Sequence, residues 1–243
     1  MQQTEMWLRA ITFEMDREPI VGALDLSGTI LRGKADKELI LRGYEEGLVS
    51  FGIKWKMIMA LIKEKIGLIT HERLDEIGTQ GLAKVIEGRE IDFADYIYQQ
   101  ISKLDGIVYP GAIEFVNELR QKLAALYFIT TKQDRFGQIL IQGQLDNLNG
   151  SPISTSNVHV VGPQYSVMND EHGNKFTGEV TNINATAEQK RKHIETIKNR
   201  GQRIFVGGGD SLCDFPLIES VYPDGLRFDV NPNKELIEAL KAD

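Results

Sequence analysis

Ile20-Val21-Gly22-Ala23-Leu24-Asp25-Leu26-Ser27-Gly28-Thr29-Ile30 is an apolar run that ends in an acid, passes through a Ser-Gly-Thr turn and becomes apolar again. Short apolar runs bounded by turn residues read as buried parallel strands. Ligands of open α/β sheets sit just beyond the carboxyl ends of such strands. Asp25 therefore stands where a sheet presents its chemistry. An Asp in this position also caps turns, so the stretch gains its weight from a second one downstream. There Arg203-Ile204-Phe205-Val206 runs into Gly207-Gly208-Gly209-Asp210-Ser211-Leu212-Cys213-Asp214, again a strand that breaks into glycine and then acids.

The composition limits what surrounds these stretches. The 243 residues allow one large domain, or a core with a smaller one inserted. A net charge of −7 with scattered lysines offers no basic footprint for nucleic acid or for an anionic membrane surface. A single cysteine, Cys213, excludes an intrachain disulfide framework and fits a reducing compartment. No apolar run approaches the roughly 20 residues that a membrane span needs. Met1 to Arg17 carries acids and no signal-peptide core. The expectation is a soluble, cytoplasmic protein that binds a small molecule, with neither nucleic acid nor membrane as partner.

After Gly33 the pattern becomes helical. Leu39, Leu41, Tyr44 and Leu48 form one stripe, and Ile53, Met57, Ile58, Leu61, Ile62 and Ile66 a second, with Trp55, Met57 and Met59 read as interior packing. Thr70 can cap a third helix, and Ile91 to Leu104 suggests a fourth. No strand is evident between Leu31 and Asp105. Tyr109-Pro110-Gly111 marks the return to strand-and-helix alternation: a helix over 113–123, a strand Leu126–Ile129 ending in Thr130-Thr131-Lys132, and a helix over 136–148. A short strand Val158–Val161, a hairpin turn around 170–178 and a polar helix Ala187–Asn199 follow, then the Asp210 strand, a last strand from Leu226 and a final helix. The predicted fold is α/β, a doubly wound parallel sheet formed by residues 1–32 and 107–243, with an all-helical cap domain inserted over 33–106.

Three core strands thus end in Asp25, Thr130 and Asp210, with Asp214 one turn further on and Lys190 on the helix between the second and third. With these residues the chain resembles the haloacid dehalogenase superfamily, in the phosphohydrolase subfamily related to phosphoserine phosphatases, with a helical cap after the first motif. The segment Gly209-Asp210-Ser211-Leu212-Cys213-Asp214-Phe215-Pro216-Leu217-Ile218 and the late Asn231-Pro232 carry the likeness, together with Asp25 and Gly28-Thr29. The resemblance covers Ile20 to Leu240. It implies a Rossmann-like core and a Mg²⁺ cofactor held by Asp25, Asp210, the backbone at Ser27 and, directly or through the lysine, Asp214. It implies Asp25 as the nucleophile that forms an aspartyl-phosphate. It also implies Gly28, Thr29, Thr130, Thr131 and Lys190 around the phosphoryl oxygens of a small-molecule phosphate ester. The chemistry agrees: Mg²⁺ takes one or two carboxylates plus substrate phosphate, and phosphoryl transfer rests on positioning and charge neutralisation. Lys192 competes with Lys190 for the lysine role, and Lys190 fits the spacing better. His71, His159, His172 and His193 have no metal-like spacing.

The chain departs from this pattern at Ser27. Most phosphatases of the family carry there a second aspartate, which protonates the leaving alcohol and then activates water. A serine hydroxyl titrates far from neutral pH, and general acid–base catalysis contributes roughly 10²–10⁴-fold. The departure leaves a slow hydrolase, a phosphotransferase with a longer-lived aspartyl-phosphate, or a non-catalytic phosphate- and metal-binding protein. A true dehalogenase also lacks that aspartate, but it needs no Mg²⁺ and leaves Asp210 and Asp214 without a role. Arg32, Lys34 and Lys37 near the cap entrance would favour an anionic leaving group by charge complementarity.

Overall fold

The computed structural model describes residues 19–32, 51–171, 173–181, 186–230, 232 and 234–242. The readings for Met1–Arg17, for the apolar residues 39–48, for Gly33, Lys34 and Lys37, and for Asn231 lie outside the described residues.

The first quoted stretch forms β1 (Ile20–Leu24), buried at every position. Its five residues alternate between the two faces of the sheet, as strand geometry requires. Ile20 and Leu24 join one hydrophobic cluster with Leu126, Phe128, Phe136 and Leu140. Val21 and Ala23 join another with Ile194, Ile197 and Leu217. A strand covered on both faces is the mark of a parallel sheet flanked by helices.

Three helices follow: α1 (Phe51–Lys65), α2 (His71–Ile86) and α3 (Ile91–Ser102). Thr70 caps α2 by accepting from the Arg73 amide at 3.2 Å. Then come α4 (Ala112–Lys122), β2 (Ala125–Ile129), α5 (Asp134–Asn149), β3 (Val158–Val161), β4 (Gln164–Asp170) and β5 (Gly173–Thr181). The chain ends with α6 (Ala187–Asn199), β6 (Arg203–Gly209), α7 (Phe215–Glu219), β7 (Leu226–Asp229) and α8 (Lys234–Ala242). The α/β sheet has the order β3-β2-β1-β6-β7, and all its pairings are parallel. The chain runs outward from β1 through β2 to β3, then returns to the other side of β1 with β6. The switch point of a doubly wound sheet, where such folds bind ligands, therefore lies between the carboxyl ends of β1 and β6. None of the described helices is long and apolar enough to cross a membrane.

Two features differ from the sequence reading. The hairpin β4–β5 forms around the turn read at 170–178, but it lies against the inserted helices. The Gly88 amide donates to the Phe176 carbonyl at 2.7 Å, the Phe176 amide to the Arg89 carbonyl at 3.0 Å, and Glu90 forms a β-bridge with Lys175. A segment that follows α2 is thereby stitched to the hairpin edge. The second difference is Trp55. It is 55% exposed, on the side of α1 away from the buried Ala60, so it is not interior packing.

β6 carries three glycines because its surroundings leave no room for side chains. A Cβ on Gly207 would stand 2.2 Å from the Leu217 carbonyl oxygen and 2.4 Å from Val221 Cγ2. Backbone cannot yield as a flexible side chain can. Gly207→Ala should therefore lower stability by about 1–3 kcal/mol, the range for overpacking. Urea denaturation should show a lower midpoint at unchanged slope, and an unchanged midpoint would refute the close packing.

Candidate active site

Asp25 follows β1 directly and is 4% exposed, with its amide donating to the Gly208 carbonyl of β6 at 2.9 Å. Asp210 follows β6. Lys190 comes from α6, whose start is fixed by a capping box. The Thr186 hydroxyl accepts from the Gln189 amide at 3.2 Å, and the Gln189 side chain accepts from the Thr186 amide at 3.0 Å. Lys190, Ile194 and Ile197 form the buried face of that helix, the i, i+4, i+7 set that one helical side presents. A lysine therefore reaches the carboxyl ends of the central strands on an apolar helix face, and it is 1% exposed.

Its ammonium donates to Asp25 Oδ1 at 2.8 Å and to Asp214 Oδ1. Asp214 is fully buried, and its other oxygen accepts from the Asp210 amide at 3.1 Å, the Ser211 amide at 3.0 Å and the Ser211 hydroxyl at 2.8 Å. Lys192, two residues on, points to solvent and pairs with Glu188 at 3.0 Å. The lysine held among the carboxylates is Lys190.

Oxygen atoms of Asp25, Asp210 and Asp214 all lie within 4.8 Å of one another. One ammonium faces three carboxylates, so the site carries excess negative charge. Hard oxygen donors in this number suit Mg²⁺, which completes its shell with waters and substrate phosphate. Gly28 also bears on the site. Its φ is +79°, and a Cβ there would fall 2.0 Å from Asp210 Oδ2. The turn after Asp25 thus lies directly against the Asp210 carboxylate, a closeness only glycine permits.

The charge balance sets the ionisation of the cluster. Burial, with Asp214 and Asp210 adding like charge, pushes the Asp25 carboxyl up to about 8, against the opposing pull of Lys190. Burial would also raise Asp214, but Lys190 and the donors from Ser211 and Asp210 hold it below the usual carboxylate range. Burial opposes the charge on Lys190, yet Asp214 and Asp25 overcome it and keep the ammonium well above its ordinary value. Burial pushes the Cys213 thiol up to about 12, so it is a packed, unreactive group.

The remaining residues named from the sequence lie on the turn after β1 and at the end of β2. Thr130 ends β2, the neighbour of β1, and is fully buried; its hydroxyl oxygen accepts from the Lys132 amide at 3.2 Å. Thr131 is 8% exposed. Thr29 is 2% exposed and its hydroxyl has no hydrogen-bond partner, and the buried Ser27 hydroxyl likewise has none. Arg32 stacks on Tyr109, 5.3 Å from the ring centroid. Ser211 was missed in the sequence, although Ser211 with Asp214 three residues later is a capping-box pattern.

No protein-family model matches the chain, and no curated protein is significantly similar to it in sequence. Solved structures do resemble it. A protein of unknown function from Bordetella pertussis Tohama I superposes with a TM-score of 0.61 at 16% identity, over 92% of this chain and 96% of that one. Cytosolic 5′-nucleotidase IIIB bound to cytidine superposes with a TM-score of 0.58 at 12% identity, over 98% of this chain and 81% of that one. The likeness is one of fold. The chain has a Rossmann-like α/β core, a five-stranded parallel sheet flanked by helices, and shares that fold with these proteins.

Two outcomes follow from the cluster. Removing Lys190 leaves buried carboxylates without their cation, so Lys190→Met should destabilise the protein by about 3–5 kcal/mol. Lys192→Met should leave the urea midpoint where it is, and equal effects would overturn the assignment of Lys190. Protonated Asp25 binds its proton more tightly folded than unfolded. Its contribution to stability is complete below about pH 4 and is lost as pH rises through about 8. In chelator-treated protein, the melting temperature relative to Asp25→Asn should fall between pH 5 and 8.5. Added Mg²⁺ must displace that proton, so it should raise the melting temperature more at pH 8.5 than at 6.5. A Mg²⁺ effect equal at both values would contradict the raised Asp25.

Proposed function

We propose that the chain is a Mg²⁺-dependent phosphomonoester hydrolase that acts on a small phosphorylated metabolite through an aspartyl-phosphate on Asp25. The observation that carries this reading is Lys190 bridging Asp25 and Asp214, with Asp210 beside them, at the switch point of the sheet. The fold shared with a 5′-nucleotidase supports it. In this reading residues 33–106 form a cap over the core, and Asp25, Asp210 and the backbone at Ser27 hold the cation. When bound, Mg²⁺ neutralises phosphate charge and orients the phosphoryl group.

Asp25 has two jobs in this scheme. Lys190 already occupies Oδ1, which keeps the carboxylate oriented and, once its proton has left, anionic. Oδ2 attacks phosphorus, the bond from phosphorus to the ester oxygen breaks, and the phosphoryl group becomes bound to Asp25. The Lys190 ammonium and the Thr130 hydroxyl then offer donors to the phosphoryl oxygens, and the buried Thr29 hydroxyl is a further unpaired donor. Asp214 holds Lys190; with five donors on its two oxygens, the Cys213 thiol included, it has little capacity for anything else. Water completes hydrolysis by releasing phosphate and restoring the carboxylate.

Ser27 leaves the leaving group without a built-in acid. Its hydroxyl is buried and unpartnered, which favours a long-lived aspartyl-phosphate and supports phosphoryl transfer to an acceptor as the second reading. Aryl phosphates, whose leaving groups need no protonation, separate the two. The chain should turn over a generic aryl phosphate only with Mg²⁺, and Asp25→Asn should abolish turnover. Ser27→Asp should raise hydrolysis of an alkyl phosphate by up to about 10²–10⁴-fold. Turnover that survives Asp25→Asn would refute the nucleophile, and product alcohol phosphorylated in trans would favour transfer.

A further inference from the structure

A chain of hydrogen bonds connects the inserted helices to the phosphate-facing side of the core. Thr79 lies in the middle of α2 and is 5% exposed. Its hydroxyl donates to the carbonyl oxygen of Thr131 at 3.2 Å, inside the protein. That carbonyl belongs to the same peptide unit as the Lys132 amide, which donates to the Thr130 hydroxyl oxygen at 3.2 Å. One peptide plane thus accepts from Thr79 on one edge and donates to Thr130 on the other. Peptide units are planar, so fixing the carbonyl fixes the direction of the amide. Bonds in such a chain polarise one another in the same sense. Thr79 is itself held, since the Tyr165 hydroxyl of β4 donates to its carbonyl oxygen at 3.0 Å.

The consequence falls on the Thr130 proton. A hydroxyl oxygen that accepts from the Lys132 amide has its own hydrogen left to donate. No described residue receives that hydrogen. We infer that Thr79 is a positioning residue: acting through the Thr131–Lys132 peptide, it aims the Thr130 hydroxyl at a phosphoryl oxygen. This rests on the phosphatase reading of the site. It also gives the hairpin β4–β5 a role, because Tyr165 anchors the far end of the chain. Threonine suits the position because its hydroxyl must leave the helix to reach a neighbouring loop. Serine keeps that donor, whereas valine keeps the shape and loses it.

The test is a cycle of Thr79→Val, Thr130→Val and the double variant, with Thr79→Ser as the rescue and Thr79→Ala as a second variant lacking the hydroxyl. Aryl phosphate turnover gives kcat and KM, and calorimetry of inorganic phosphate with Mg²⁺ gives binding without turnover. Thr79→Val should lower kcat and weaken phosphate binding by about three- to tenfold, the worth of one hydrogen bond. Thr79→Ser should restore both. In the Thr130→Val background Thr79→Val should change neither. Wild-type kcat in Thr79→Val would overturn the inference, as would an undiminished effect in the Thr130→Val background. If both hydroxyl-free variants fail to fold while Thr79→Ser folds, the hydroxyl is structural and the inference is overturned. A wild-type chain that neither turns over nor binds phosphate takes the phosphatase reading with it. Wild-type turnover with Thr79→Val unchanged removes only the role of Thr79.

Discussion

The bond from the Lys190 ammonium to Asp25 and Asp214 is the constraint around which the sheet closes. All three side chains are almost or wholly without solvent contact. A charge in such a place is tolerable only when paired and hydrogen-bonded. The strand end that delivers Asp25, the helix that delivers Lys190 and the turn that delivers Asp214 must therefore arrive together. Much of the local structure serves this arrival. The Thr186 capping box sets where α6 begins and so where Lys190 emerges. Ser211 and the amide beside it saturate Asp214. Gly209 lets the chain pass Asp214, since a Cβ there would fall 2.1 Å from the aspartate's own Cβ. Such an arrangement does little for stability compared with apolar packing of the same volume. Its retention in the middle of a sheet is better explained by chemistry than by folding.

The same cluster explains why the core was legible from the chain alone. β1 and β6 each end in an acid after an apolar run, and those acids meet because the strands are neighbours in the sheet. Period alone also decides between the two lysines. Ile194 and Ile197 lie four and seven residues after Lys190 and define the buried face, whereas Lys192 falls on the opposite side. Other features left no mark in the sequence. The hairpin announced itself by turn residues, but its stitching to the segment after α2 runs through backbone groups of Gly88, Arg89 and Phe176, which have no side-chain signature. Trp55 shares its apolar period with Ile58, Ile62 and Ile66, which are exposed as it is, and periodicity shows that a helix has an apolar face without showing what lies against it. Thr79 sits in a helix like any polar residue; its partner is a carbonyl 52 residues away.

The inserted helices and the core are accordingly less separate than an inserted domain suggests. Ile86 of α2 and Ala94, Ile97, Tyr98 and Ile101 of α3 belong to the same hydrophobic cluster as Leu24 and Phe128 of the sheet. The Tyr98 hydroxyl donates to Gln133 at 2.6 Å, and Arg135 forms a two-pronged ion pair with Asp95 at 2.5 Å. These contacts all land on the loop after β2 or on the first turn of α5, next to Thr130. The loop bearing the Thr130 hydroxyl is therefore bounded by core on one side and by inserted helices on the other. Its geometry depends on both.

Ser27 fits this balance in a way that its lost acidity alone does not convey. An aspartate at that position would add a fourth carboxyl group to the three that share one lysine in the present site. Like charges gathered in a buried site raise one another's protonation, and Asp25 is already pushed up to about 8 by its surroundings. A fourth carboxylate would push it further unless a cation were bound throughout. In the proposed hydrolase the serine thus gives up an acid–base group and adds no further charge to the site. Under the proposed function Asp25 keeps its lysine, the donors around it are retained, and only proton delivery to the leaving group is given up. Under that reading the site is best matched to esters whose leaving groups depart as anions, or to acceptors that bring their own base.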